Sequence, residues 1–190
     1  MTRAERATRL LAHARVIHDA ATVARALDAQ AAAITAHLAG EDPLVLAVMS
    51  GGMWPTVELG RRLAFPHQVD YLHATRYRGG REGGALEWRV SPRMALEGRC
   101  VLVVDDILDE GYTLAAVMAA CQAAGASRVH AAVLAVKVHD RRVSGVDVAF
   151  PGLEVPDEYV FGCGMDVDEY WRGLPAIYAV TPQGDDDGRS

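Results

Sequence analysis

Cysteine is scarce in this chain: Cys100, Cys121 and Cys163 are an odd set with no C-x-x-C spacing. That excludes a disulfide framework and a paired-cysteine zinc site, and leaves the three as small buried hydrophobes. Such usage fits a reducing compartment, and a cytoplasmic location is expected. Long apolar runs are missing too. No stretch reaches the roughly 18 apolar residues of a membrane-spanning helix, so no membrane association is expected. The opening MTRAERATRLLAHARVIHDA lacks the apolar core of roughly 7–15 residues that marks a signal peptide. Positive charge is in deficit, with 19 Lys+Arg against 25 Asp+Glu and a net charge of −6. A nucleic-acid binder would show a basic face, so no nucleic-acid partner is expected. A small anionic ligand remains compatible, because a site can be locally positive within an acidic protein.

Proline and glycine are absent from residues 4–39, where Ala, Leu, Arg and Glu dominate. The stretch predicts helix throughout, with Asp19 capping a second helix that presents Val23, Leu27, Ala31, Ile34 and Leu38 on one face. Beyond it the 190-residue chain, 51% hydrophobic, alternates short apolar runs with helical spacing. Runs at 44–49, 67–77, 101–104, 127–138, 146–150 and 176–180 predict strands, and 54–63 and 113–124 predict helices. Strands alternating with helices in units of roughly 30 residues imply an α/β fold with a mainly parallel sheet covered on both faces. Residues 74–91 hold four glycines between charged, aromatic-bearing segments and read as a flap or hairpin. One domain is expected over 1–183, with GDDDGRS at 184–190 as a solvated tail.

The chemistry concentrates in VLVVDDILDEGYTL, residues 101–114. A buried strand delivers Asp105 and Asp106 to the carboxyl edge of a parallel sheet, where ligands of such folds bind. The loop Ile107, Leu108, Asp109, Glu110, Gly111, Tyr112 and Thr113 then leads into a helix. Free amides at that helix N-terminus suit a phosphate monoester. Adjacent carboxylates suit sugar hydroxyls or a partly hydrated Mg²⁺. Neither G-x-x-x-x-G-K-[ST] nor G-x-G-x-x-G is present. The seven histidines are scattered without metal-ligand spacing and receive no role.

Residues 101–113 resemble the phosphoribosyl-diphosphate (PRPP) motif of type I phosphoribosyltransferases, and aspartate at 109 resembles the 6-oxopurine branch, the hypoxanthine-guanine enzymes. The resemblance extends over nearly the whole chain. It implies the type I fold: a central mainly parallel sheet flanked by helices, a flexible flap and a small hood formed by the terminal segments. Ser50 and Gly51 match the loop that binds pyrophosphate, and Thr75, Arg76 and Tyr77 match the mobile loop that closes over PRPP. Lys137 matches the lysine that recognises purine O6, although a lysine near a strand end is equally a solvated charge. Tyr159 matches the aromatic that stacks on the base, with Val160 beside it, although Tyr159 also reads as core. Arg172 matches the arginine that reaches pyrophosphate, and could instead neutralise Asp168 or Glu169.

The resemblance assigns Mg²⁺ as cofactor, held by Asp105 and Asp106, with Asp166 meeting a second ion and the purine C2 edge. It makes Asp109 the base that accepts the proton from purine N7. The reaction implied is purine salvage: hypoxanthine or guanine plus PRPP gives IMP or GMP plus pyrophosphate, in a homodimer or homotetramer. Three departures stand out, one of them Tyr112 in place of a residue that is often basic. Ser50 occupies a position that is often basic, and Glu110 occupies one where small hydroxyl residues are common; its side chain is expected to turn outward. A xanthine-preferring enzyme and a non-catalytic PRPP-sensing regulator are the alternatives. Against the regulator, residues 1–40 are too short for a typical winged-helix extension, and the chain is acidic.

Overall fold

A computed structural model describes residues 1–76 and 86–181. Tyr77 and the 184–190 tail lie outside the described residues. In chain order the elements are α1 (Arg3–His13), β1 (Arg15–His18), α2 (Ala20–Leu38), β2 (Leu44–Val48), α3 (Met53–Gly60), β3 (Gln68–Arg76) and β4 (Leu86–Val90). They continue with β5 (Cys100–Leu108), α4 (Tyr112–Ala123), β6 (Arg128–Lys137), β7 (Phe150–Val155), β8 (Val160–Phe161) and β9 (Ile177–Ala179).

The N-terminal stretch is not continuously helical. Thr2 and Glu5 form a reciprocal capping box that starts α1. The chain then turns extended at Ala14, and β1 pairs antiparallel with β9. Val16 and Ile17 are β-branched neighbours that suit a strand. The cap of α2 also requires extended backbone here: Asp19 sits at φ −70°, ψ 166° and accepts the Thr22 amide at 2.7 Å. The expected apolar face of α2 is buried, with Leu27 and Ile34 at 1% exposure or less. Each such side chain contributes about 1.5–3 kcal/mol by its burial. Gln30 shares that face and donates to the Val133 and Phe150 carbonyls at 3.0 and 2.7 Å, tying the helix to β6 and β7.

The six-stranded sheet has the order β4-β3-β2-β5-β6-β7. Only the edge pair β3–β4 is antiparallel; the other pairings are parallel. Alternation along the strands divides the core. Leu44, Leu46, Val101, Val103, Ala131 and Val133 pack with Leu114, Val117 and Cys121 of α4. Val45, Leu102, Val104, Ala132 and Leu134 pack toward α2 and α3. All three cysteines are free and buried. β1, β9 and β8 form a small second sheet from the two terminal segments, the expected hood.

Two boundaries differ from expectation. β5 runs past Val104 to Leu108, keeping its pairing with β6 (Asp105 opposite Val133, Ile107 opposite Ala135), so both aspartates lie inside the strand end rather than in a turn after it. The strand expected at 146–150 instead begins at Phe150, where pairing opposite Ala132 places the ring in the core. The preceding residues follow Gly145 at φ +84° in an irregular connection. β3 and β4 are the expected hairpin arms, with Thr75 opposite Glu87 and Arg76 opposite Leu86. Among the described residues no helix is long and apolar enough to cross a membrane.

Candidate active site

Parallel pairing of β2 with β5 brings their carboxyl ends to one sheet edge, beneath a cavity of about 450 Å³. Met49 and Gly51, the continuous run 105–113, Arg141 and Arg172 line it. Gly111 caps α4 at φ +88°, a left-handed conformation that disfavours a side chain, and no side chain caps the helix. The N-terminus of α4 opens directly onto the cavity, and a helix N-terminus favours an anion. Glu110 also lines the cavity; its carbonyl accepts the Val143 amide and its charge acts on Arg141.

The β2–α3 loop closes on the aspartates. A Cβ at Gly51 would stand 2.0 Å from the Asp106 carboxylate, so only glycine admits this approach. Gly164 lies against the Gly51 carbonyl in turn, bringing the 162–165 turn over the loop. Arg172 is anchored there: it donates to the Gly164 carbonyl at 2.9 Å and pairs with Asp166 at 2.6 Å. Its contact with Glu169 is looser, at 3.3 Å.

Asp105 and Asp106 are electrostatically under-compensated. Burial, then the charge of Asp106, pushes the Asp105 carboxyl well above the ordinary carboxylate value. Burial raises Asp106 as well, against hydrogen bonds from Asp105 and the Ile107 amide and the charge of Arg172. Asp105 accepts the Asp106 amide at 2.9 Å. Two neighbouring carboxylates, Asp106 buried and Asp105 half-buried, supply hard oxygen donors and surplus negative charge, a set that fits Mg²⁺. Asp166 does not join them in one three-ligand cluster; its carboxylate is engaged by Arg172 and by the Glu169 amide at 2.8 Å.

Asp109 stands in the opposite condition. Its Oδ2 accepts from Lys137 Nζ at 2.7 Å and its Oδ1 from His139 Nε2 at 2.8 Å. Burial raises its carboxyl, but these two donors and their charges outweigh that and hold it below the ordinary value. Lys137 thus lies beside Asp109 at the end of β6, its side chain 15% exposed, and is not a solvated charge. Asp109, His139 and Asp157 place three ligand atoms within 4.8 Å of one another. Lys137 already holds Asp109, and Arg141 holds Asp157 through two hydrogen bonds at 2.7 and 2.8 Å, so the cluster is an ion-pair network.

Ser50 is exposed in the β2–α3 loop, and its carbonyl accepts the Met53 amide. Tyr159 is 57% exposed, so it is not core, and its carbonyl accepts the Val180 amide; Val160 is buried in β8. Thr75 and Arg76 are in β3. His139 and Arg141 are the site residues that sequence reasoning missed. The signal was present in Lys137-Val138-His139: residues two apart on an extended segment point to one side, so a lysine assigned to the site carries His139 with it.

Residues 13–169 match the model of the phosphoribosyl transferase domain. The hypoxanthine-guanine phosphoribosyltransferase of Lactococcus lactis is 29% identical over 79% of this chain and 81% of that protein. The hypoxanthine-guanine-xanthine phosphoribosyltransferase of Tritrichomonas foetus is 26% identical over 86% of this chain and 89% of its own. The crystal structure of a hypoxanthine phosphoribosyltransferase from Staphylococcus aureus superposes with a TM-score of 0.83 at 24% identity, covering 88% of this chain and 91% of that one. With the strand-edge aspartates and the helix N-terminus in place, the chain belongs to the phosphoribosyltransferase family.

Proposed function

We propose that the protein is a purine salvage enzyme that transfers the phosphoribosyl group of PRPP to hypoxanthine or guanine, releasing pyrophosphate. The observation that carries this reading is the meeting of Asp109 with Lys137 beside the phosphate-type loop. It puts an acceptor and a cationic donor where a 6-oxopurine edge needs both. The ammonium donates to O6, which a 6-aminopurine cannot accept because it presents a donor of its own. The N9–C1′ bond forms as the bond from C1′ to the pyrophosphate oxygen breaks, and Asp109 takes the N7 proton. Developing positive charge on the ribose is expected, as at other glycosidic centres.

The other residues bind and orient. Amides at the start of α4 hold the 5′-phosphate, and Asp105 and Asp106 face the ribose hydroxyls. Arg172 and the Gly51 loop receive the diphosphate, with the Ser50 hydroxyl in place of a basic side chain. Tyr159, exposed, offers a face for stacking. Mg²⁺ held by Asp105 and Asp106 would neutralise the diphosphate as it leaves, and Asp166 is the residue for a second ion.

The test is a panel of hypoxanthine, guanine, xanthine and adenine with PRPP and Mg²⁺, following nucleotide formation. Turnover with hypoxanthine or guanine and none with adenine is expected. A dominant xanthine activity would move the assignment within the family, and activity with none of the four would overturn the enzyme reading.

A further inference from the structure

His139 is a polar residue at the site that the reaction so far leaves unused. Its side chain is only 3% exposed, and both ring nitrogens are engaged. The Arg141 amide lies 3.1 Å from Nδ1. A backbone N–H can only donate, so Nδ1 is the acceptor and the neutral ring carries its proton on Nε2. That proton points at Asp109 Oδ1, 2.8 Å away. The same tautomer leaves Nε2 no lone pair for a cation, which removes the metal-ligand alternative for the Asp109–His139–Asp157 group.

We propose that His139 is a positioning residue for Asp109: its Nε2–H and the Lys137 ammonium grip one carboxylate oxygen each and fix the plane of the base. A carboxylate has about four lone-pair sites, so two remain after these bonds. Asp109 is 43% exposed and lines the cavity, and that is where the remaining acceptor capacity is available. Lys137 alone could not set the plane, because a single contact leaves the carboxylate free to rotate about its Cβ–Cγ bond. Two donors on two oxygens remove that freedom, as orienting groups do for bases generally. The charged groups around the pair are Lys137 from β6, Arg141 and Asp157 across the connection, and Glu110 in the loop of Asp109 itself.

This inference rests on Asp109 being the base, and its test separates the two. His139→Leu removes the donor while filling the space, and His139→Gln retains an N–H of similar reach. Loss of one hydrogen bond to a charged group predicts that His139→Leu lowers kcat with hypoxanthine by about tenfold, with KM for PRPP within about twofold of wild type. The acid limb of kcat/KM moves to higher pH, because Asp109 has lost one of the donors that keep it ionised. His139→Gln returns kcat to within about threefold of wild type. In an Asp109→Ala background, His139→Leu causes no further loss. The inference is overturned if His139→Leu keeps both kcat and the acid limb, if His139→Gln is as impaired as His139→Leu, or if a further loss appears without Asp109. Nitrogen NMR of the histidine rings reads the tautomer without turnover, and an Nδ1-protonated His139 would overturn it even in an inactive protein. Wild-type protein that forms no nucleotide refutes the functional reading alone.

Discussion

Asp109→Asn is the most informative single substitution, because the structure says what amide replacement does on both sides. Asp109 Oδ2 faces the Lys137 ammonium and Oδ1 faces His139 Nε2, at 2.7 and 2.8 Å. Both neighbours are donors. An asparagine must turn its NH₂ toward one of them, so one hydrogen bond disappears and two donors confront each other, while the other bond weakens to a neutral acceptor. The proton acceptor for N7 is lost as well. Removing a general base costs about 10²–10⁴-fold in kcat, which is about 3–5 kcal/mol of transition-state stabilisation at roughly 1.4 kcal/mol per tenfold. The displaced neighbour moves the expectation to the upper half of that range. KM for PRPP should change little, since its phosphates are received by backbone amides at the start of α4 and by the Gly51 loop, not by the Asp109 side chain. The assay is steady-state IMP formation with both substrates varied, alongside a thermal melt to establish folding. A folded Asp109→Asn protein with kcat within about threefold of wild type refutes the base role. A loss confined to KM for hypoxanthine would make Asp109 a purine-binding residue instead.

Three further outcomes follow from the site. Asp106 has its carboxyl raised by burial, so the folded state holds a proton that the unfolded chain releases, and stability falls as pH rises from the ordinary carboxylate range to the raised value. At pH 7 Asp106→Asn should therefore stabilise the ligand-free protein, by on the order of 1 kcal/mol or about 2–4 °C in Tm for a chain of this size, while weakening PRPP binding; an unchanged or lower Tm contradicts this. Because Ser50 supplies no positive charge, PRPP binding followed by calorimetry should depend strongly on Mg²⁺, and binding indifferent to the metal would remove Asp105 and Asp106 as its holders. Gly51→Ala sets a methyl 2.0 Å from the Asp106 carboxylate; it should lower kcat/KM for PRPP by at least about tenfold with Tm within a few degrees of wild type, and normal kinetics would show that the loop moves freely.

What was legible in the sequence follows from the range of the forces involved. The central strands read correctly because burial on both faces demands continuous apolar runs such as Leu44–Val48. Asp19 read correctly because a cap is decided within three residues. β1 did not, because its strand state comes from pairing with β9 some 160 residues away, while its local composition continues the helical pattern on either side. Phe150 begins a strand although the local pattern ends one there, for the same reason: its partner is Ala132, and register across a parallel pair is not written in either strand alone. In the site, the contiguous residues 105–113 were found together because one segment carries them. His139 does not stand out in the sequence because a histidine is informative only when its neighbour is known, and Asp109 lies 30 positions earlier.

The carboxylates of the site differ in how they are compensated, and that difference sorts their proposed roles. Asp109 has a donor on each oxygen and is held ionised in the protein alone. A base that must accept a proton in every cycle gains from that, because its readiness does not depend on what else is bound. Asp106 is buried beside the half-buried Asp105, local hydrogen bonds and the charge of Arg172 offset only part of the burial at Asp106, and the charged forms of both are disfavoured until positive charge arrives. Residues meant to hold a cation gain from the reverse condition: relief of their mutual repulsion becomes part of the binding free energy. Asp166 lies between these cases, paired with Arg172 at 2.6 Å. An ion that took Asp166 would have to compete with that guanidinium, so the pair links the metal side of the site to the arginine proposed to receive the diphosphate. The acidic surplus of the chain is thus unevenly neutralised at one sheet edge, and the unevenness separates the group proposed to take a proton from the groups proposed to hold a metal.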